Sequence, residues 1–353
     1  MAGLKSKQKF EKKRVERLPS FTEKSEEQLA KELFEEKNLK TDDEEESPYY
    51  EDTYEVHKRT NGLWDVVLED EIKYFDPELS YELTGYRPIN ETEGLDFDPE
   101  PFREAGQVFE RTGKYTAYPK GTKPYADFWH EQIRRCVEGY TVGKYRITGD
   151  HYFFLNFYRM GIVDADRKAG AGMDESFPFF TVQQYIWFHY VETCEYLKKD
   201  IVALKARAVG FSEIGACLGV RPFITTRKFR SVYTAFSEAY VDGVLDKCWY
   251  QLNWLNNNTA GGMRRVRQKI DNIKHKRASK VDKEGTESGR FAEIEGIVAP
   301  NPRSVRGDRC DRLIFEEFGS NMVSRTSWTQ GTALVEIGGQ RRGVKIGFGT
   351  GRC

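Results

Sequence analysis

The sequence predicts an α/β fold, a mainly parallel sheet flanked by helices, and three observations predict it. Short apolar runs, IVAL (201–204), SVYTAF (231–236), RLIF (312–315) and GVKIGF (343–348), each stop at a polar or glycine-rich tip. Strands buried on both faces of a parallel sheet read as such unbroken runs, and ligands gather beyond their carboxyl ends. Apolar residues at helical spacing fill FTVQQYIWFHYVETCEYLK (180–198). The third observation is KARAVGFS (205–212), which follows one apolar run and opens a helix expected from Ser212 to about Val220.

Ahead of this core the chain changes character. Residues 1–47 are dense in Lys and Glu, end in TDDEEES, and carry too few apolar residues for a core, so they read as a charged arm, helical or disordered. Residues 48–170 form an irregular, aromatic-rich subdomain in which 145–158 (YRITGDHYFFLNFY) is the segment richest in strand formers. DADRKAGAGMDES (164–176) reads as an exposed linker, and residues 171–353 make up the α/β core. No run of eighteen apolar residues exists, so no membrane span is expected. The six cysteines show no metal-binding spacing and no disulfide framework, and the five histidines form no i,i+3 or i,i+4 pair.

A phosphate-binding loop has the pattern G-x-x-x-x-G-K-[ST]. Over Lys205, Ala206, Arg207, Ala208, Val209, Gly210, Phe211 and Ser212 that pattern finds its second glycine and its hydroxyl but not its lysine, because Phe211 stands there. Backbone N–H groups at a helix N-terminus still attract phosphate. Lys205 or Arg207 can supply the missing cation, and Ser212 can place its hydroxyl on Mg²⁺. A chance strand–turn–helix is the bland alternative. LIFEEFG (313–319) argues against chance: a strand tip with Glu316 to hold the metal and Glu317 to deprotonate a water suits phosphoryl transfer to water. The bland alternative there is a solvated turn. Together the two tips point to a P-loop NTPase that takes ATP and Mg²⁺.

KARAVGFSE, NPRSVRGDRCDRLIFEEFG and KIGFGTG together resemble the ATPase domain of the large terminase subunit of tailed bacteriophages, over residues 145–351. The resemblance implies an ATP-driven motor that moves double-stranded viral DNA into a procapsid. It implies Arg207 and Glu317 as catalytic residues, and a coupling motif at Gly349, Thr350 and Gly351. It also implies an adenine-contacting glutamine, for which Gln183 fits better than Gln184 because Ile186 and Trp187 then fall at the apolar positions that follow. The family's metal-binding strand usually ends in Asp-Glu, and here it ends in Glu316-Glu317. Implied partners are the portal protein of the procapsid, the small terminase subunit and further copies in a ring. The implied place is the host cytoplasm, with the motor docked transiently at the procapsid. The family's C-terminal nuclease starts well after the coupling motif, so no DNA cleavage is expected from this chain.

Charge is unevenly spread. Residues 41–100 hold 20 acidic and 4 basic residues, whereas 201–353 hold 26 basic and 15 acidic. The C-terminal half therefore suits a polyanionic partner. MRRVRQKIDNIKHKRASKVDK (263–283), with Arg264, Arg265, Arg267 and Lys269, is the candidate DNA-backbone track, with a solvated loop as the alternative. Arg303 and Arg306 either contact phosphate or pair with acids. A P-loop scaffold that binds nucleotide or DNA without hydrolysis, and a helicase-like translocase, remain as rival functions.

Overall fold

The computed structural model describes residues 95, 97–162, 174–206, 210–299, 309–320 and 324–350. The charged arm lies outside the described residues. So do the boundary expected near 170, Arg207, Ala208 and Val209 of the loop, Arg303, Arg306 and Gly351.

A mixed α/β architecture with a mostly parallel central sheet is observed. The sheet has six strands: β1 (Ile201–Leu204), β2 (Arg230–Ala235), β3 (His275–Arg277), β4 (Glu293–Val298), β5 (Arg312–Phe315) and β6 (Val344–Gly349), in the spatial order β1-β6-β5-β2-β4-β3. All neighbours are parallel except the edge strand β3, which runs antiparallel to β4. Every residue of β5 and β6 is buried, which is why both read as continuous apolar runs.

The period-2 alternation of strand side chains separates two cores. Tyr233, Ile314 and Ile346 face the larger one, with the helices before and after β1. Val232, Leu313 and Phe315 face a smaller one with Leu334 and Val335. The helices are α1 (Glu104–Thr112), α2 (Lys123–Glu138), α3 (Gly149–Phe157), α4 (Val182–Tyr196), α5 (Phe211–Thr225), α6 (Glu238–Asn258) and α7 (Ser324–Val335).

Three expectations are corrected. Most of 145–158 is helix α3, not strand: only Tyr145–Ile147 is extended, paired with Tyr140–Val142. Thr148 caps α3 by accepting from the His151 N–H at 3.3 Å. All nine residues of α3 are buried, so no amphipathic stripe marked it as a helix, and tertiary burial overrides the β preference of its aromatics. Helix α5 also runs past Val220 to Thr225 with Pro222 inside its last turn. The end of the expected linker, Asp174–Ser176, is a strand paired with Met160–Ile162.

A buried ion network ties the aromatic layer to the sheet. Asp150 on α3 accepts from Arg221 (2.7 and 2.9 Å) and from Arg312 at the start of β5 (2.7 and 3.3 Å). Arg312 also donates to Glu195 on α4 at 2.5 and 2.9 Å. Burial pushes the Asp150 carboxyl up, but the two guanidinium charges and their hydrogen bonds outweigh that and hold it well below the usual carboxylate range.

Candidate functional site

Because β1, β6 and β5 are adjacent and parallel, their carboxyl ends lie side by side. The strand physically between the loop-bearing β1 and the carboxylate-bearing β5 is β6, while β2 lies on the far side of β5. At the tip of β1 the Lys205 N–H donates to the Gly349 carbonyl at 3.0 Å. Gly210 then caps α5 at φ 75°, the left-handed region where a side chain is strained. Its carbonyl accepts from the Glu213 and Ile214 N–H groups, both at 3.0 Å. Phe211, which occupies the place of the usual lysine, is an anchor. Its ring packs between Trp187 of α4 (5.1 Å) and Phe348 of β6 (5.8 Å).

The functional side chains converge on this end of the sheet. The Lys205 ammonium donates to Glu317 Oε1 at 3.0 Å, and the Ser212 hydroxyl donates to Glu316 Oε1 at 2.5 Å. The other oxygen of Glu317 faces Thr350, whose N–H and hydroxyl lie 3.5 and 3.4 Å away. Glu317 itself sits at φ 49°, an uncommon conformation for a non-glycine residue. The backbones behind it are pressed together: a Cβ on Gly349 would lie 2.8 Å from the Gly319 nitrogen, and one on Gly319 would lie 2.7 Å from the Thr350 carbonyl oxygen. The Gly349–Thr350 backbone and the turn carrying Glu317 therefore cannot shift independently.

The two carboxylates sit in opposed environments. Burial pushes the Glu316 carboxyl up, and the negative Glu317 adds to this; the Ser212 hydrogen bond and the Lys205 charge pull it back without cancelling the rise. Burial also pushes Glu317 up, but the hydrogen bond and charge of Lys205, with Thr350, outweigh it and leave its carboxyl below the ordinary value. Glu317 is thus held as a carboxylate, the form a general base requires.

Whether these residues suit Mg²⁺ can be tested on Glu316. Its Oε2 is buried with no hydrogen-bond partner among the described residues, while Oε1 shares a hydrogen bond with the Ser212 hydroxyl. An unsatisfied carboxylate oxygen beside a hydroxyl, at a helix N-terminus, fits a hard cation that takes few protein ligands and fills its shell with phosphate and water. No cluster of three His, Cys, Asp or Glu occurs among the described residues, so an all-protein cage is not what is on offer.

The structure thus brings together Lys205, Gly210, Ser212, Glu316, Glu317, Gly349 and Thr350, with Ala206 exposed just after β1. Gln183 is exposed near the start of α4, whereas the Gln184 side-chain oxygen is buried without a partner among the described residues. Trp187 of the same helix touches Phe211, which sets that end of α4 beside the loop.

Three neighbours of this cluster were invisible in the sequence. Glu213 accepts from the Tyr158 hydroxyl at 2.7 Å and pairs with Lys247 of α6, which adds a cation behind Glu316. No local spacing links positions 158, 213 and 247.

The proposed DNA track needs a correction. Arg265 is 4% exposed and donates to the carbonyls of Ile224 and Arg264, so it is committed inside the fold. Arg267 donates to Asn253, and Lys269 pairs with Glu287 at 3.4 Å, while Arg264 is exposed. The 263–283 segment is largely folded, with β3 and the paired Lys280–Val281 and Glu287–Ser288 strands anchoring it.

No family model matches the chain, and no curated protein matches it in sequence. Among solved structures it is similar to the large terminase ATPase domain of Thermus phage P74-26, at 14% identity and a TM-score of 0.34, over 44% of this chain and 60% of that one. It is also similar to the large terminase of a second, thermophilic bacteriophage in complex with ADP, at 11% identity and a TM-score of 0.29, over 43% of this chain and 33% of that one. The chain spans less than two thirds of the length of either. No helix among the described residues is long and apolar enough to cross a membrane.

Proposed function

We propose that the chain is a Mg²⁺-dependent ATPase of the P-loop class, and that it works as a motor subunit moving double-stranded DNA into a viral procapsid. One observation carries the ATPase reading: three parallel strand tips and one helix N-terminus bring Lys205, Ser212, Glu316, Glu317 and Thr350 into a single polar cluster. The motor reading rests on the motif set and its resemblance to phage large terminases. The portal protein, the small terminase subunit and a homo-oligomeric ring in the host cytoplasm belong to that reading.

In this proposal the α5 N-terminus and Lys205 bind the polyphosphate, and Ser212 with Glu316 would hold Mg²⁺. When bound, the cation neutralises charge on the β- and γ-oxygens. Incoming phosphate competes for Lys205 and so releases Glu317, which then accepts the proton of the attacking water. Arg207, outside the described residues, is assigned to the charge that develops on the γ-phosphate; such an arginine contributes orders of magnitude in rate. Thr350, on the backbone locked to the Glu317 turn, senses the cleaved phosphate.

The first test is Mg²⁺-ATP binding by the purified chain beside Lys205→Ala and Arg207→Ala. Loss of a polyphosphate cation is expected to weaken binding at least ~10-fold in Lys205→Ala, the scale of a charge-assisted hydrogen bond. Arg207→Ala is expected to lower turnover more than binding. Equal affinity in wild type and both variants would remove the relocated cation. Stimulation by portal-bearing procapsids, rather than by forked or single-stranded DNA, separates the packaging motor from a helicase.

A pH dependence follows from Glu316. Its carboxyl is raised, so acidification protonates it before an ordinary glutamate and removes a metal ligand. Mg²⁺-dependent nucleotide affinity should therefore begin to fall above the usual carboxylate range as pH is lowered. Nucleotide binding in EDTA should lack that limb, and a calorimetric titration across about pH 4–8, the span from ordinary carboxylates to neutral conditions, reads both.

A further inference from the structure

The opposite end of the sheet carries a second, unassigned site. The amino-terminal ends of β2, β4 and β5, the hairpin after α7 and the end of α4 enclose an open groove of about 910 Å³. Its lining holds eight Lys or Arg residues and two acids, Glu293 and Asp311. Several cations are already paired: Arg230 with Glu293 and Glu295, Arg277 with Glu287 and Glu293, Arg341 with Asp200. Three are not. Lys228, Arg309 and Arg342 are exposed and make no ion pair among the described residues. Lys228 is presented by a fixed backbone, at φ 55° with its N–H donating to the Arg290 carbonyl at 2.7 Å.

We infer that this groove grips the phosphodiester backbone of duplex DNA. Surplus guanidinium and ammonium groups over a folded rim suit phosphate oxygens, which take arginine forks and point charges alike. The one aromatic ring in the lining, Phe291, has Arg227 and Arg277 over it at 5.8 and 5.2 Å, so it offers no platform for an unstacked base. That favours a duplex read by its backbone over a single strand. The groove also stands where a motor would use it. Strand β5 begins beside Arg309 and ends at Glu316 and Glu317, so roughly 13 Å of buried strand separates the two sites. The DNA identity rests on the function proposed above; the polyanion site does not.

The test uses the full chain and random-sequence duplex DNA of about 30 base pairs, with fluorescence anisotropy between about 50 and 200 mM salt. Each neutralised phosphate contributes about 0.9 to the slope of log affinity against log salt. The triple variant Lys228→Gln, Arg309→Gln, Arg342→Gln should lower that slope by about 2.7 and weaken low-salt binding at least ~10-fold. Arg342→Gln alone should lower the slope by about 1 and guards against a triple variant that misfolds. Mg²⁺-ATP binding, measured in parallel, should be unchanged, so a failed groove and a failed ATPase reading give different results. An unchanged slope in the variants overturns the inference. So does a wild type that binds no duplex at the low-salt end, or equal loss from Arg264→Gln with Lys269→Gln.

Discussion

Glu317→Gln is expected to bind Mg²⁺-ATP as well as the wild type, or better, and to turn it over at least ~10²-fold more slowly, the lower end of what a positioned general base contributes. The glutamine keeps the shape: its one amide oxygen can still accept from Lys205, and its NH₂ group can donate to the Thr350 hydroxyl, so the loop keeps its geometry. It cannot take a proton from water at neutral pH. Its lost charge also frees Lys205 from the 3.0 Å ion pair that holds it in this structure, which is why affinity should not fall. Single-turnover hydrolysis beside equilibrium binding separates the two effects. Wild-type turnover in Glu317→Gln would reject Glu317 as the base and leave the turn with a structural role.

Asp150→Asn should produce the largest loss of stability. Asparagine is nearly isosteric, but its amide carries no charge to face Arg221 and Arg312, and its NH₂ group points a donor at donors. Arg312 is 1% exposed and would be left with Glu195 as its one carboxylate among the described residues, beside the Leu218 carbonyl. Breaking a buried ion pair by removing one partner costs about 3–5 kcal/mol. For a domain of this size that lowers Tm by on the order of 10 °C. The sign with pH is fixed by the depressed carboxyl. The wild-type contribution is complete above the unfolded pKa and is lost only as pH falls through the lower folded value. A melt within about 2 °C of wild type at neutral pH, the shift of a loss well under that cost, would refute the clamp.

Four of the six sheet strands, β1, β2, β5 and β6, were legible as short apolar runs with their own punctuation, whereas β3 (His275–Arg277) and β4 (Glu293–Val298) carry charged residues and were not read from the sequence. Helix α4 was legible from its spacing. Helix α3 was not, because burial on all sides erases the amphipathic signal, and the end of α5 was hidden by Pro222 in its last turn. What no single segment encodes is pairing at a distance. Lys205 meets Glu317 across 112 positions, and Arg265 turns inward to carbonyls from a stretch whose composition suggests a solvated face. The basic groove is likewise assembled from positions 228, 309 and 342, none of which belongs to the charge run that drew notice in the sequence.

The cysteines carry one more consequence. Cys136, Cys194, Cys217, Cys248 and Cys310 are all buried, and burial pushes every one of these thiols up. A thiol needs both exposure and ionisation to react, so alkylating reagents should find these five only when the fold opens. Four lie in the larger core and Cys310 in the smaller one. Labelling rates therefore act as two clocks built into the chain, one for each face of the sheet, and their agreement or divergence tells whether the faces come apart together.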